Sequence, residues 1–232
     1  MFFFWRFILA HLLGDFPLQP AEIVKWKQTR LSGVVAHCVI HFFCYVLVNL
    51  PYISRPEVWY CSLAIALTHI AQDHWRVVSI KRWGTPDNMW FFLADQVIHY
   101  FVIFCYLIIF GLYNPTWLDR PQFIQTPVLM ACLLIIATFF TSVFVFYSNI
   151  GWGDRPHAAR VFDDEHLYGI TERFLVMNGL VFLPVTAWAF IPAVWLGRLL
   201  TSRWRQRFDF TPANLLVGNL IAVACGFAGR LL

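Results

Sequence analysis

The stretch "ADQVIHYFVIFCYLIIFGLY", residues 94–113, decides the fold class, because two ionisable side chains stand at the start of a long apolar run. Asp95 and His99 are one helical turn apart, and mostly apolar residues follow as far as Tyr113. A run of this length and composition is typical of a helix that crosses a membrane. Because an acid inside such a helix is costly in lipid, the pair also indicates a functional site.

The composition of the whole chain leads to the same fold class. Of its 232 residues, 59% are hydrophobic and only 13% are charged, whereas soluble domains carry about 25% charged residues. So little polar surface indicates that much of the protein lies in a bilayer. We therefore predict an all-α, polytopic membrane helix bundle in contact with membrane lipid. The net charge of +4 is spread over many loops and predicts no nucleic-acid partner.

Apolar segments long enough to span a membrane divide the chain into about seven predicted helices. Polar connections separate them, among them "QPAEIVKWKQTRLSG" at residues 19–33. No composition shift marks a boundary, so residues 1–232 are predicted to form a single membrane domain. The predicted helices are 2–19, 32–52, 57–78, 89–113, 126–148, 172–198 and 211–230, and the last three make up a C-terminal part, 126–232.

The hairpins 1–52 and 57–113 carry the same polar pattern. "HLLGD" and "HCVIH" in the first return as "HIAQD" and "DQVIH" in the second, and one offset along the chain relates all four pairs of polar residues. Repeated helical hairpins are common in membrane proteins, and sites form between them. We therefore predict an internal repeat of helices 1–2 and 3–4. The paired residues are His11, Asp15, His37 and His41 in the first hairpin and His69, Asp73, Asp95 and His99 in the second.

The spacing predicts that these eight residues converge. Side chains four residues apart share one helix face, and all eight lie near the ends of helices that meet at one membrane face. Each buried acid costs about 2.5–3.5 kcal/mol, which a divalent cation would offset. Histidine with carboxylate favours zinc, iron or manganese. We predict that all eight are ligands, with two ions favoured over one because a tetrahedral site needs only four. Interhelical hydrogen bonds without metal are the alternative.

Basic loops place this face of the bundle on the cytoplasmic side. We predict that Asp15, Asp73, Asp95 or Glu172 acts as a catalytic acid–base group. Residues 153–173 are the most polar stretch and could form a lid. The predicted substrate-binding residues are Lys25, Arg173, Gln19 and Gln96, and the predicted lid residues are His157, Arg160, Glu172 and Arg173.

These features predict a metal-dependent hydrolase that acts on a lipid or amphiphilic (phospho)ester near the cytoplasmic face. Basic residues around the site favour a phosphoester. One alternative is a di-iron oxidase or hydroxylase of lipid chains, although only "HCVIH" has the H-x-x-x-H spacing that such enzymes repeat. Another is a metal or proton transporter, which needs polar residues that continue toward the opposite face. A purely structural subunit is the third alternative.

The motifs "AHLLGDFPLQP", "HCVIH", "THIAQD", "FFLADQVIHY" and "YGITERFLV" resemble the bacterial membrane proteins grouped as domain of unknown function 3307. The resemblance implies a multi-pass protein of the bacterial inner membrane and carries no established reaction. The chain departs from the pattern at "VGN", where Gly-Thr is expected, and at Arg198, where lysine is frequent. By looser analogy it is similar to membrane-bound, metal-dependent hydrolases related to helical zinc phospholipases.

Overall fold

A computed structural model describes residues 2–113, 122–151, 164–205 and 213–232. Within these ranges all regular secondary structure is helical, which confirms the all-α prediction. The chain forms two compact units, Met1–Cys132 and Leu133–Leu232, and each is described by itself. The single membrane domain, the count of seven helices and the internal repeat stay predictions.

The first unit is built from helices whose ends follow from local sequence. α1 ends where Pro17 and Pro20 follow, because proline lacks the amide hydrogen that a continuing helix needs. The Asn88 side chain caps α5 by accepting a hydrogen bond from the backbone nitrogen of Phe91 at 3.0 Å. Gly111, with φ +65°, ends the same helix. These helices are α1 (Phe2–Asp15), α2 (Ala21–Thr29), α3 (Leu31–Val48), α4 (Pro56–Arg82) and α5 (Met89–Ile109).

The polar connection predicted at residues 19–33 contains a short helix, α2, which occupies most of it. α2 has nine residues, none of them buried, so a search for long apolar segments passes over it. Glu22 in its first turn and Lys27 in its last turn complement the helix dipole. At Gly33 a Cβ atom would lie only 2.4–2.6 Å from the backbone of Trp26 and Lys27. Glycine at this position therefore allows α2 to fold back closely against α3.

The second unit contains two π-helical turns. One, at Ile136–Phe140, joins α6 to α7, and the other, at Ala213–Val217, leads directly into α10. A π turn inserts one extra residue into a helix and often marks a functional site. The remaining helices, of which α6 begins in the first unit, are α6 (Gln122–Ile135), α7 (Thr141–Gly151), α8 (Asp164–Phe182), α9 (Phe190–Arg205) and α10 (Gly218–Arg230).

The prediction of one continuous helix at 172–198 is wrong. α8 ends at Phe182, a short 3₁₀ turn follows, and α9 begins at Phe190. Pro184 lies in this break and has no amide hydrogen to continue α8. A Cβ atom at Gly179 would lie 1.9 Å from the Phe190 ring, so α9 packs closely on α8 immediately after the break.

Three described segments are long and apolar enough to cross a membrane: Leu31–Val48, Met89–Ile109 and Gln125–Ser148. The first of them, α3, has two distinct faces. One face carries the buried histidines His37 and His41. The other carries large exposed apolar side chains at four-residue spacing, which is typical of a helix with one side toward lipid. These exposed residues are Leu31, Val35, Val39, Phe43 and Leu47.

Candidate metal centre

Four helices of the first unit bring the eight predicted ligands together in one buried group, here called the His/Asp cluster. α1 contributes His11 and Asp15 near its end, and α3 contributes two histidines from its middle. α4 and α5 each contribute one histidine and one aspartate. Every member is buried, and Asp15 has the largest exposed fraction, at 8%. The convergence that helical spacing predicts is therefore present.

Asp15 is the centre of the cluster. Its Oδ1 atom lies 3.1 Å from Nε2 of His37 and 3.1 Å from Nε2 of His41. Its Oδ2 atom lies 3.2 Å from Nε2 of His11 and accepts a hydrogen bond of 3.0 Å from the Gln96 side-chain amide. Nitrogen atoms from three helices thus surround one carboxylate that is removed from water.

Two overlapping groups within the cluster have the geometry to hold a metal ion. In each group, one ligand atom from every residue lies within 4.8 Å of the corresponding atoms of the others. Zinc bonds to imidazole nitrogen and carboxylate oxygen at about 2.0–2.2 Å, so ligands of one ion must be this close together. His69 belongs to both groups. The first group is Asp15, His37, His41 and His69, and the second is His69, Asp73 and His99.

The donor set fits a divalent cation. Among the described residues, both ring nitrogens of His69 and the Nε2 atom of His99 are buried without a hydrogen-bond partner. Leaving a buried polar atom unsatisfied costs about 1–3 kcal/mol. Imidazole lone pairs together with the carboxylates of Asp15 and Asp73 are ligands that zinc, iron and manganese accept. A bound ion would therefore satisfy nitrogen atoms that have no other described partner.

Two predicted ligands lie beside the two candidate metal-binding groups and not within them. His11 places Nδ1 3.3 Å from the Tyr45 hydroxyl. The Asp95 carboxylate accepts a hydrogen bond of 2.8 Å from Arg76, and the Asp95 backbone carbonyl oxygen lies 2.7 Å from Nδ1 of His99. Because one nitrogen of His99 is engaged in this way, its other nitrogen is directed toward Asp73, at 3.9 Å.

The lysine of α2 that contacts the cluster is Lys27, and the predicted substrate-binding role of Lys25 stays a prediction. Lys25, the predicted substrate-binding lysine, is exposed on α2. Two residues further on, Lys27 donates a hydrogen bond of 3.0 Å to Oδ2 of Asp73. Residues two apart point in different directions on a helix, so only one of these lysines can reach the cluster. Arg76 was also missed, although its position three residues after Asp73 places it on the same face of α4.

Gly14 allows the closest packing in the cluster. A Cβ atom at this position would lie 2.5–2.7 Å from three atoms of the His41 ring, a distance that side chains do not tolerate. The absence of a side chain therefore lets the His41 imidazole lie directly against α1, within reach of Asp15. The motif "HLLGD" thus contains a packing requirement as well as two candidate ligands.

The remaining predicted site residues fall into two sets. Gln19 and Gln96 lie next to Asp15: Gln19 donates to the Asp15 backbone oxygen at 2.6 Å, and Gln96 contacts the carboxylate. Glu172 and Arg173 belong to the second unit and have polar partners there. The predicted lid residues His157 and Arg160 lie outside the described residues.

Fold and site together define a helical protein with membrane-length segments and a buried His/Asp cluster. A family model described as "Protein of unknown function (DUF3307)" matches residues 3–125. This match covers more than half of the chain and includes the whole His/Asp cluster, so the chain belongs to this family. No curated protein and no solved structure matches it.

Proposed function

We propose that this protein is an integral-membrane, metal-dependent hydrolase that acts on a lipid or amphiphilic (phospho)ester near the cytoplasmic face. The observation that carries the proposal is the His/Asp cluster, in which two buried groups sharing His69 have ligand atoms within 4.8 Å of one another. Such a concentration of imidazole and carboxylate inside a helical bundle resembles the way bundle proteins hold dinuclear centres.

The proposed cofactor is a divalent metal, zinc before iron or manganese, with two ions favoured over one. The first ligand group supplies three histidines and one aspartate, and the second supplies two histidines and one aspartate. Three protein ligands leave a coordination position open, as in catalytic zinc sites. When bound, the ion supplies Lewis acidity toward a phosphoryl or acyl oxygen.

The protein residues have separate tasks in this proposal. Asp15 or Asp73 acts as the general base, because both carboxylates lie among the ligand atoms. Lys27, on the partly exposed helix α2, binds the anionic group of the substrate. Arg76 holds the Asp95 carboxylate, and the Asp95 backbone carbonyl holds Nδ1 of His99. Burial of the cluster keeps bulk water from competing with these contacts.

Hydrolysis is favoured over transport by the residues beyond the cluster. A transport path needs polar groups that continue along the buried helix faces. Most buried residues on the far side are apolar, among them Phe3 and Phe7 on α1 and Ile103 and Leu107 on α5. The buried polar side chains there, Ser62 and Asn49, donate hydrogen bonds to backbone carbonyls one turn earlier in the chain and so do not extend a polar path. The apolar side chains support a pocket that is closed at its inner end.

The proposed location is the bacterial inner membrane, which the chain crosses several times. Three membrane-length segments support it. So does α3, where an exposed apolar stripe lies opposite the cluster histidines. Membrane lipid is therefore both the surrounding solvent and, in this proposal, the source of the substrate.

Metal removal tests the proposed reaction. The full chain, reconstituted in phosphatidylethanolamine–phosphatidylglycerol liposomes, is assayed for hydrolysis of fluorescent phospholipids and of an isoprenoid phosphate. Chelation is expected to lower the rate at least about 100-fold, since Lewis-acid catalysis contributes several kcal/mol, and zinc should restore it. Glu57→Gln, an exposed change at the start of α4, should retain the wild-type rate. Hydrolysis that continues unchanged after complete metal removal would contradict the proposal.

Lys27→Met is expected to raise KM for an anionic substrate about tenfold, because a hydrogen bond to a charged group contributes roughly 1.5–3 kcal/mol. Lys25→Met is the matched control, since Lys25 is exposed on the same short helix. Metal content should not fall in either variant, because Lys27 competes with a cation for Asp73. An equal rise in KM for both variants would show that only general surface charge matters.

A further inference from the structure

The second unit contains a buried charged group that the proposed function does not use. It consists of residues from α8, α9 and α10, and each is less than a tenth exposed. Burying several charged and polar side chains inside a helical unit is costly unless each of them is paired. The members of this second-unit charged group are Glu172, Arg173, Arg198 and Asn219.

Glu172 is engaged by two of these residues. Its Oε2 atom accepts a hydrogen bond of 2.6 Å from Arg198, and its Oε1 atom accepts one of 3.0 Å from the Asn219 side-chain amide. Both carboxylate oxygens are therefore used, and the negative charge of Glu172 is directly paired with Arg198. This pairing explains why Glu172 and Arg198 are buried together.

Arg173 has no such partner. Its guanidinium donates to the Thr138 backbone oxygen at 3.1 Å and to the Ser142 hydroxyl at 2.5 Å, and both acceptors are neutral. Its Nε atom is buried and has no partner among the described residues. Both oxygens of Glu172 are taken by Arg198 and Asn219, so Arg173 makes no direct ion pair with it. A buried guanidinium whose hydrogen-bond acceptors are neutral is costly.

The backbone around this group is specialised for polar contacts. The Thr138 carbonyl that faces Arg173 belongs to the π turn Ile136–Phe140. The Leu215 carbonyl, which accepts a hydrogen bond of 3.0 Å from Asn219, belongs to the π turn Ala213–Val217. Both π turns of the second unit thus serve the same charged group, and such turns often occur at functional sites.

Gly169 leaves room for the Arg173 side chain. A Cβ atom at Gly169 would lie 3.1 Å from Nη1 of Arg173, so the guanidinium lies along α8 above this glycine. The pattern in "YGITER" is therefore explained by packing: glycine one turn before arginine leaves room for the guanidinium. The charged end is held in place while its Nε atom is left without a described acceptor.

We propose that the second unit binds an anionic phosphate group through Arg173. A guanidinium offers parallel N–H donors that match phosphate oxygens. A bound phosphate would give Arg173 a directly paired negative charge and would give Nε an acceptor, which it lacks among the described residues. The phosphate is either free or the head group of a lipid. The proposal does not depend on the metal centre, which lies in the first unit, so either can fail without the other.

Thermal unfolding of the full chain in an uncharged detergent tests this site. The midpoint is measured in phosphate-free buffer, with saturating inorganic phosphate, and in micelles that contain phosphatidic acid. The unfolding midpoint of wild type is expected to rise by about 5 °C with inorganic phosphate, with phosphatidic acid or with both. The midpoint of Arg173→Gln should not rise with either. Without the anion, Arg173→Gln should be at least as stable as wild type, because it removes a buried positive charge whose hydrogen-bond acceptors are neutral. Arg55→Gln, on an arginine that pairs with Glu57 in the first unit, should respond like wild type.

The deciding quantity is how much more the anion raises the unfolding midpoint of wild type than that of Arg173→Gln. Phosphate also stabilises proteins non-specifically, so only the difference between wild type and Arg173→Gln counts. A gain with phosphatidic acid alone identifies a lipid head group, and a gain in both arms identifies the phosphate group itself. An equal deficit of Arg173→Gln under all conditions, or no gain by wild type in either arm, would overturn the proposal. If Arg173→Gln does not fold, Arg173→Lys takes its place. Lysine keeps the positive charge but lacks the parallel N–H donors of a guanidinium, so a gain in unfolding midpoint equal to that of wild type would contradict the site.

Discussion

Replacing Gly14 with alanine is expected to disrupt the proposed metal centre while adding only one methyl group. That methyl group would lie 2.5–2.7 Å from the ring of His41, and the ring is fully buried, with no exposed surface to move into. Either α1 must move away from α3, or His41 must turn away from Asp15. Overpacking of this kind costs about 1–3 kcal/mol, and loss of the His41 contact should weaken metal binding more than about tenfold.

The measurement combines the unfolding midpoint with metal affinity in the purified, detergent-solubilised protein. Gly197→Ala is the matched control, because a Cβ atom at that helical glycine would meet nothing within 4 Å. Alanine stabilises a helix relative to glycine, by up to about 1 kcal/mol, so the control should be neutral or slightly more stable. Equal, harmless effects of both substitutions would mean that His41 does not have to lie against α1.

His69→Ala is expected to have the largest effect on metal binding of any single substitution, because His69 belongs to both ligand groups. Even the loss of a residue outside the coordination sphere commonly lowers metal affinity about 10–100-fold. Loss of a shared ligand should therefore exceed that range. The protein should still fold, since the substitution also removes two buried nitrogen atoms that lack described partners.

The control for this prediction is another histidine of the same helix. His74 lies five residues after His69 on α4 and is exposed. His74→Ala should bind metal with wild-type affinity in a competition titration against a zinc chelator. If His74→Ala and His69→Ala bind metal equally well, the ion is not held by the His/Asp cluster.

Much of the candidate site can be predicted from sequence because helices impose a simple geometry. Residues four apart share a face, so Asp95 and His99 had to point in one direction, as did His37 and His41. The paired motifs lie at similar distances from the ends of the four predicted helices. The polar faces of these helices were therefore expected to meet at the same depth in the membrane. The pattern therefore predicts which side chains converge without predicting any distance between them.

Other features depend on contacts that leave no periodic signal. α2 is too short and too exposed to be found by apolar length. That Lys27, and not Lys25, contacts Asp73 follows from how α2 packs against Gly33. The break after Phe182 depends on Pro184 inside an otherwise apolar run.

Asp15 and Asp73 occupy matching positions in the repeated motifs, but their surroundings differ in a way that the motifs do not predict. Asp15 lies among histidines, whereas Asp73 additionally binds a lysine. The halves of the predicted repeat would then have unequal affinity for cations, and the group that contains Asp15 should fill first.

The most direct test of the central claim is the metal content of purified wild-type protein. Elemental analysis after expression in medium with added zinc, iron and manganese should find at least about one divalent ion per folded chain, bound tightly enough to survive gel filtration. Folded protein that carries no divalent metal, and takes none up when zinc is added back, would contradict the account of the His/Asp cluster as a metal centre.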